Sequence, residues 1–456
     1  MAKLFAWWTR IAPVLAPLGR LVGERRMAAA LHPLEQFTKG ALFDCRMCGQ
    51  CVLSATGMTC PTNCAKRMRN GPCGGVRADG GCEVDPAMRC VWLEADEGDA
   101  RQHRGHGPTE RPRLEPIDAR RQGLSTWVEL VTPRARAAPT APTAANTAPP
   151  PAFAQPVSAL EAACRDGRFV YTVEIAPPDS HEPAALVERA RAFAGLVDAI
   201  NITDAAGANC HMSSVAAASV LRAHGLEAVC QVACRDRNRI ALQGDVLGAA
   251  ALGVRNVLCL TGDDVSQGDH PEAKASFDLD AVNLLHVLQG MRERAQYASG
   301  RKLAAPVPLF LGASANPFVP PYAQRVANLE RKIDAGARFI QTQFCFDLPR
   351  LESFMAALRE RDLHRRAAVI VGVGTLSTAR ALRWMAAHVP GVHVPEPLLQ
   401  RIDGAADPRA EGVRACIETV HALQRVDGVA GVHLMGHRNE ASLVEVLRAV
   451  RAGASA

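Results

Sequence analysis

Apolar residues recur through the C-terminal two thirds of the chain in short runs rich in β-branched side chains. Eight such runs stand at 169–175 (FVYTVEI), 196–203 (LVDAINIT), 226–234 (LEAVCQVAC), 254–262 (VRNVLCLTG), 308–315 (PLFLGASA), 339–346 (FIQTQFCF), 368–374 (AVIVGVG) and 429–437 (VAGVHLMGH). Unbroken apolar runs of this length describe strands covered on both faces, as in parallel sheets flanked by helices. Helical stretches such as 184–194, 328–335 and 351–361 separate them. Eight alternating units over roughly 285 residues match the usual size of a TIM barrel. The pattern therefore predicts an α/β fold, a (β/α)8 TIM barrel over residues 158–456. An open doubly wound sheet of similar size is the alternative. The run at 254–263 ends in Gly262, which permits a sharp turn, and then Asp263 at the strand edge where such folds bind ligands.

The first 157 residues break this pattern. Residues 1–40 begin MAKLFAWWTRIAPVLAPLGRLVGERR, an apolar stretch interrupted by Arg10 and Arg20. It reads as an amphipathic basic helix, too short to span a bilayer, that packs on protein or lies peripherally on a membrane surface. Residues 41–110 hold eight cysteines, Cys45, Cys48, Cys51, Cys60, Cys64, Cys73, Cys82 and Cys90, punctuated by Gly and Pro. A chain so rich in loops builds little core, so a small metal-binding domain is expected here. Close thiolates at 45, 48 and 51, followed by Cys60-Pro61, follow the pattern that wraps a four-iron, four-sulfur cluster. Structural zinc also takes four thiolates. The spacing alone does not say which cysteines share a metal. Residues 111–157, with the Ala/Pro/Thr run at 132–156, read as a semi-rigid linker.

Charge adds little to this picture. A net charge of +6 spread over 456 residues describes solvated helix faces and gives no reason to expect nucleic-acid binding. The fifteen cysteines change more. Their dense N-terminal cluster suits a reducing cytoplasm and metal ligation rather than disulfides. The other seven fall largely in apolar strands, where a thiol behaves as a small core residue.

Several motifs of the barrel, in order, resemble the methylenetetrahydrofolate reductase family. They are VEIAPP around Glu174, INITDAAGA around Thr203, LTGD at 260–263, and NLERKIDAGARFIQTQFCFD at 328–347. The likeness covers most of 168–450. The cysteine stretches CRMCGQCVLSATGMTCPTNC and RNGPCGGVRADGGCEVD resemble a small partner subunit, or fused domain, found with some bacterial members. The resemblance implies an FAD-dependent enzyme of one-carbon metabolism, interconverting methylenetetrahydrofolate and methyltetrahydrofolate. Glu174 matches the acid that protonates the leaving nitrogen, and Asp263 the aspartate beside the flavin. Thr203, Gln231, Leu260, Gly262, Asp263, Asn328, Arg331 and Lys332 fall at flavin-contact positions, and Gln343 with Glu174 at folate-contact positions. A protonated Glu174 would need a partly buried setting among apolar neighbours. Arg331 and Lys332 offer charge to the flavin diphosphate.

Three departures shape the expectation. Gln231 replaces a flavin-contacting histidine, Asn316 stands where the family has a tyrosine, and Ala379 stands where a phenylalanine stacks on folate or the nicotinamide donor. Electrons could then come from NAD(P)H, or through the cysteine domain from ferredoxin or another electron-transfer partner. A homo-oligomer is expected. The competing reading is a non-catalytic, zinc-held adaptor subunit. His211, His393, His433 and His437 show no pairing by spacing and read as solvated or core-edge residues, and Lys274 lies in the loop after the fourth run.

Overall fold

The computed structural model describes residues 24–102, 111–131, 153–375, 378–389, 392–436 and 439–453. The chain forms two compact units. One comprises Met1–Gly71 with Met88–Pro151, and the other Pro72–Ala87 with Ala152–Ala456.

The second unit contains eight strands: β1 (Val170–Ile175), β2 (Ala199–Ile202), β3 (Ala228–Ala233), β4 (Asn256–Leu260), β5 (Phe310–Ala315), β6 (Phe339–Phe344), β7 (Ala368–Gly374) and β8 (Val429–Met435). All neighbours pair in parallel, and β8 closes on β1. The sequence runs thus mark every strand, and the closed barrel replaces the open sheet. Several helices between the strands begin at side-chain caps. Ser213, Asn238, Asp280, Asp347, Thr378 and Asp407 each accept a first-turn N–H, a contribution of about 1 kcal/mol apiece.

Alternation along each strand divides the core in two. Outward residues such as Val173, Ile200, Val232, Val257, Ile340 and Val371 pack against the helices. Inward residues Val170, Ala199, Val229, Leu258, Phe310, Phe339 and Ile370 form a separate cluster with Leu160 and Ala163 of the helix Ala159–Arg165, which plugs the barrel's N-terminal end. The Phe310 and Phe339 rings stack at 5.0 Å. Gly312 makes this possible, because a Cβ there would lie 2.2 Å from the Phe339 ring.

The segment Pro72–Ala87 belongs to this barrel unit rather than to a separate cysteine domain over 41–110. It folds back through an antiparallel bridge between Val76 and Cys82. Its Cys73 carbonyl accepts from Arg325 Nη1 and its Gly74 carbonyl from Asn316 Nδ2, the latter at 3.2 Å. Backbone carbonyls at a glycine-rich turn can approach a loop this closely, and that is why the segment docks.

In the first unit a helix runs from Glu24 to Phe43, three residues past the expected end at 40. Residues 1–23, the start of the expected amphipathic helix, lie outside the described residues. Buried Glu35 accepts from Lys39 Nζ at 2.5 Å, Thr126 Oγ1 at 2.5 Å and the Trp127 N–H at 3.2 Å. It thereby caps the short helix Thr126–Val131. Residues 111–131 are therefore folded against the cysteine-bearing segment rather than acting as linker. Arg121 Nε also donates to the Gly49 carbonyl at 3.1 Å. Residues 132–152 of the expected linker are outside the described residues. Among the described residues, no helix is long and apolar enough to cross a membrane.

Candidate functional site

Above the apolar plug, the barrel axis turns polar. Thr172, Asn201, Gln231, Gln341 and His433 stand two residues further along β1, β2, β3, β6 and β8 than the small or apolar residues Val170, Ala199, Val229, Phe339 and Gly431. All five are buried. Burying this many polar groups is tolerable only when they satisfy one another, and they do. Asn201 and Gln341 exchange amide hydrogen bonds at 2.6 and 3.1 Å. Gln341 Nε2 donates to Thr172 Oγ1 at 3.2 Å, and Thr172 Oγ1 lies 2.8 Å from His433 Nδ1.

Glu174 tops this layer at the C-terminal end of β1, with its side chain 28% exposed. Gln231 Nε2 donates to its Oε2 at 2.8 Å, and His433 Nε2 stands 3.7 Å from the same oxygen. This setting corrects the expected apolar pocket. Burial pushes the Glu174 carboxyl up, but His433 and the Gln231 amide together outweigh it and hold the pKa below the ordinary value. Without bound ligand, Glu174 is ionised at neutral pH. His433 is likewise not a solvated or core-edge residue. It is 2% exposed and points into the barrel, while His437 is outside the described residues.

The other expected residues sit around the same mouth. Gly262, two residues past β4, has φ of +98°, and a Cβ there would lie 3.0 Å from Arg235 Cβ, so the turn requires glycine. Leu260 is the inward residue just before it. Exposed Asp263 accepts the Gly207 N–H at 2.9 Å, tying the β2 loop to the β4 loop. Its neighbour Asp264 caps the short helix Val265–Gln267, accepting from Ser266 N. Thr203 is buried just past the end of β2, and its hydroxyl has no protein partner among the described residues. Gln343 spends its amide oxygen on the Phe344 N–H at 3.0 Å.

On the helix Tyr322–Asp334, Asn328, Arg331 and Lys332 share one face, being three and four residues apart. Lys332 Nζ donates to the Ser314 carbonyl at the end of β5 at 2.6 Å. Its pKa falls to about 8, first through burial and then through the charges of Arg325 and Arg331, against opposing pulls from Asp280 and Cys73. Positive charge crowded at a barrel mouth favours an anionic ligand.

The cysteines separate into groups. Cys45, Cys48, Cys51 and Cys60 line one hollow in the first unit, together with Lys39 and Arg69. Burial raises the Cys45 and Cys60 thiols, and neighbouring cysteines of the four raise them further. Lys39 is buried and feels Cys51 and Cys45. Cys73 and Cys82 lie in the second unit. Among the described residues, none of the fifteen cysteines is in a disulfide. Among the described residues, no three His, Cys, Asp or Glu side chains stand where one metal ion could hold them.

The model of the family described as methylenetetrahydrofolate reductase matches residues 159–451. The chain belongs to the methylenetetrahydrofolate reductase family. A second model, described as methylene-tetrahydrofolate reductase C terminal, matches residues 25–111, the cysteine-bearing part of this reductase-family chain. A Caenorhabditis elegans protein named probable methylenetetrahydrofolate reductase (NADPH) is 24% identical over 52% of the chain and 34% of its own length. Methylenetetrahydrofolate reductase 2 of Schizosaccharomyces pombe is 25% identical over 46% and 32% respectively. The chain thus spans about a third of the length of these relatives. Among solved structures, a Clostridium thermocellum protein described as binding two copies of 5-methyl-5,6,7,8-tetrahydrofolic acid aligns at 12% identity. Its TM-score is 0.46, over 64% of this chain and 99% of that one. The EDTA monooxygenase of Chelativorans sp. BNC1 aligns at 10% identity and a TM-score of 0.40, over 62% and 94%. These structural likenesses are distant.

Of the reductase-family positions named from sequence, Glu174 and Gln231 touch one another, Asn328, Arg331 and Lys332 share a helix face, and Asp263 and Thr203 sit on adjoining loop ends. The residue missed was His433. Its signal was parity: it lies on the inward register of β8, level with four other polar inward residues.

Proposed function

We propose that this chain is an FAD-dependent oxidoreductase that interconverts methylenetetrahydrofolate and methyltetrahydrofolate. The observation that carries the reading is an ionised carboxylate, Glu174, held at the barrel mouth by Gln231 and His433, with Lys332 held at the end of β5 among the charges of Arg325 and Arg331. The mouth fits a flavin dinucleotide. Thr203 offers a buried hydroxyl with no protein partner among the described residues, and Lys332 a depressed ammonium that a diphosphate would recharge. Thr203, Gln231, Leu260, Gly262, Asp263, Asn328, Arg331 and Lys332 would hold it. When bound, FAD supplies or accepts the hydride.

Glu174 does the proton work. In the oxidative direction its carboxylate takes the proton from the folate nitrogen that closes the methylene bridge. In the reductive direction it must first gain a proton, which it then delivers to the same nitrogen as the bridge opens to an iminium ion. Asp263 places negative charge near that cation. Gln343, with both donor and acceptor atoms, suits the amide-like edge of a pterin.

For the cysteines, the reading is an iron–sulfur cluster on Cys45, Cys48, Cys51 and Cys60. Four thiols line one hollow, and a cubane spreads its ligands over separate irons, whereas zinc gathers them on one ion. Cys64, Cys73, Cys82 and Cys90 remain individual metal-ligand candidates. Asn316 and Arg325 both spend donors on the Cys73–Gly74 backbone, which favours electrons arriving through the cysteine segments from ferredoxin or a similar partner over direct NAD(P)H binding at that loop. The test is reduction of the bound flavin, without oxygen, by methyltetrahydrofolate and separately by NADH and by reduced ferredoxin. Reduction by the folate but not by a Glu174→Gln variant supports the site. A protein that binds no FAD returns the non-catalytic adaptor reading.

A further inference from the structure

The helix Glu24–Phe43 is built inside out. Its charged pair is the buried part: Glu35 is 1% exposed and Lys39 5%. Lys39, Ser125, Thr126 and the Trp127 N–H all donate to the Glu35 carboxylate. The Lys39 ammonium also lies 5.7 Å from the centre of the Trp127 ring. On the same flank His32 Nε2 reaches the Gly123 carbonyl at 2.8 Å. The opposite flank faces solvent, and it is apolar. Phe37 is 75% exposed, Leu34 52% and Leu42 50%, with Ala30 and Ala41 exposed beside them. Ala30, Leu34, Phe37 and Ala41 are spaced by four, three and four residues, so they share a stripe about 60° wide on the helix. A surface helix normally turns polar residues outward. Between Ala29 and Leu42 the one exposed polar side chain is Gln36. An apolar stripe left in water in this way marks an interaction site.

The charge around the stripe identifies its partner. Residues 1–23, which lead into the helix, hold Phe5, Trp7 and Trp8, and their charged members Lys3, Arg10 and Arg20 are all basic. Glu24, Arg25 and Arg26 follow, so residues 1–34 carry five basic side chains against one acid. Tryptophans, an apolar helix face and excess Lys and Arg together suit the headgroup region of a membrane. The apolar face enters the acyl boundary, indole rings favour the interface, and basic side chains meet anionic headgroups. A second copy of the helix fits less well. Helix pairs fix their register with opposite charges beside the seam, and the positions beside this stripe are Leu31, Pro33, Thr38 and Gly40. We propose that the chain through Phe43 is an in-plane membrane anchor, docking on an anionic lipid surface through Leu34, Phe37 and Leu42 with its basic residues on the headgroups. Among the described residues no helix is long and apolar enough to cross a bilayer, so this one lies along the surface.

The experiment mixes the full-length protein with sedimentable phosphatidylcholine vesicles, with and without phosphatidylglycerol, and measures the bound fraction at low and high salt. Binding to the phosphatidylglycerol vesicles is expected, about tenfold or more weaker on pure phosphatidylcholine or in high salt, where the headgroup attraction is screened. Leu34→Gln combined with Phe37→Gln should weaken it about 100-fold, each substitution removing one large apolar side chain worth about tenfold. Both positions are exposed and Gln is a good helix former, so the fold survives the change. Arg26→Glu is the independent check. It should weaken binding to phosphatidylglycerol vesicles about tenfold and leave binding to pure phosphatidylcholine unchanged. Sedimentation velocity without lipid tests the second copy. Wild-type protein that ignores phosphatidylglycerol vesicles, or undiminished binding after the Leu34 and Phe37 substitutions, overturns the proposal. A lipid-free dimer that those two substitutions dissolve overturns it as well and gives the stripe to a second copy of the chain.

Discussion

Lys332 gives the sharpest quantitative prediction. Its ammonium is held by the Ser314 carbonyl but crowded by Arg325 and Arg331, and its pKa drops from the usual 10.5 to about 8. At about 1.4 kcal/mol per pKa unit, keeping it charged at neutral pH costs the folded state roughly 3 kcal/mol, nearer 2 once its partial solvent contact is discounted. The sign follows from proton counting. Between pH 8 and 10.5 the unfolded chain holds the lysine proton and the folded chain does not, so stability rises with pH through that window and the penalty is complete below it. Lys332→Met keeps the length of the side chain and removes the charge. Urea unfolding of the flavin-free protein at pH 7, 8, 9 and 10 should show wild type gaining about 2 kcal/mol relative to the Met variant across the range. Other titrating groups cancel in that comparison. The same variant should bind FAD about 10- to 100-fold more weakly, because in the proposed reading the Lys332 ammonium neutralises the diphosphate. Parallel pH profiles for the two proteins, or unchanged FAD affinity, would refute the reasoning.

Three further outcomes follow from the geometry. Gly262→Ala forces a side chain onto a φ of +98° and 3.0 Å from Arg235 Cβ, so thermal unfolding should show a loss of about 1 to 3 kcal/mol. Oxidation of methyltetrahydrofolate, followed by single-turnover flavin reduction, should fail as pH falls through the lowered Glu174 titration, whereas the reductive direction should quicken as pH falls towards it. Cys48→Ser, in protein reconstituted with iron and sulfide, should lose the iron bound per chain at the Cys45–Cys60 hollow without loss of FAD. Unchanged iron would remove Cys48 from the ligand set.

The strands were legible because each is an apolar run covered on both faces, and the runs 339–346 and 368–374 begin on the residues where β6 and β7 begin. The mouth was legible where backbone chemistry shows in the residue type, as with Gly262. It was not legible where the environment decides. Glu174 reads as a carboxyl among apolar neighbours in VEIAPP, yet its partners come from β3 and β8, more than fifty residues away in sequence. His433 reads as a stray polar residue in VAGVHLMGH until the barrel register sets it beside Thr172. Nor could the sequence assign Pro72–Ala87 to the barrel unit. That docking depends on two carbonyls meeting Arg325 and Asn316, and any glycine-rich turn offers such carbonyls.

The central claim is that the barrel mouth brings a flavin and a reduced folate together over Glu174. It is tested most directly by adding methyltetrahydrofolate, without oxygen, to the FAD-loaded full-length protein and following the yellow flavin absorbance. The account predicts bleaching to one reduced flavin per chain, with methylenetetrahydrofolate formed in equal amount. A flavin that binds but stays oxidised at every folate concentration, in protein shown to bind the folate, would contradict it.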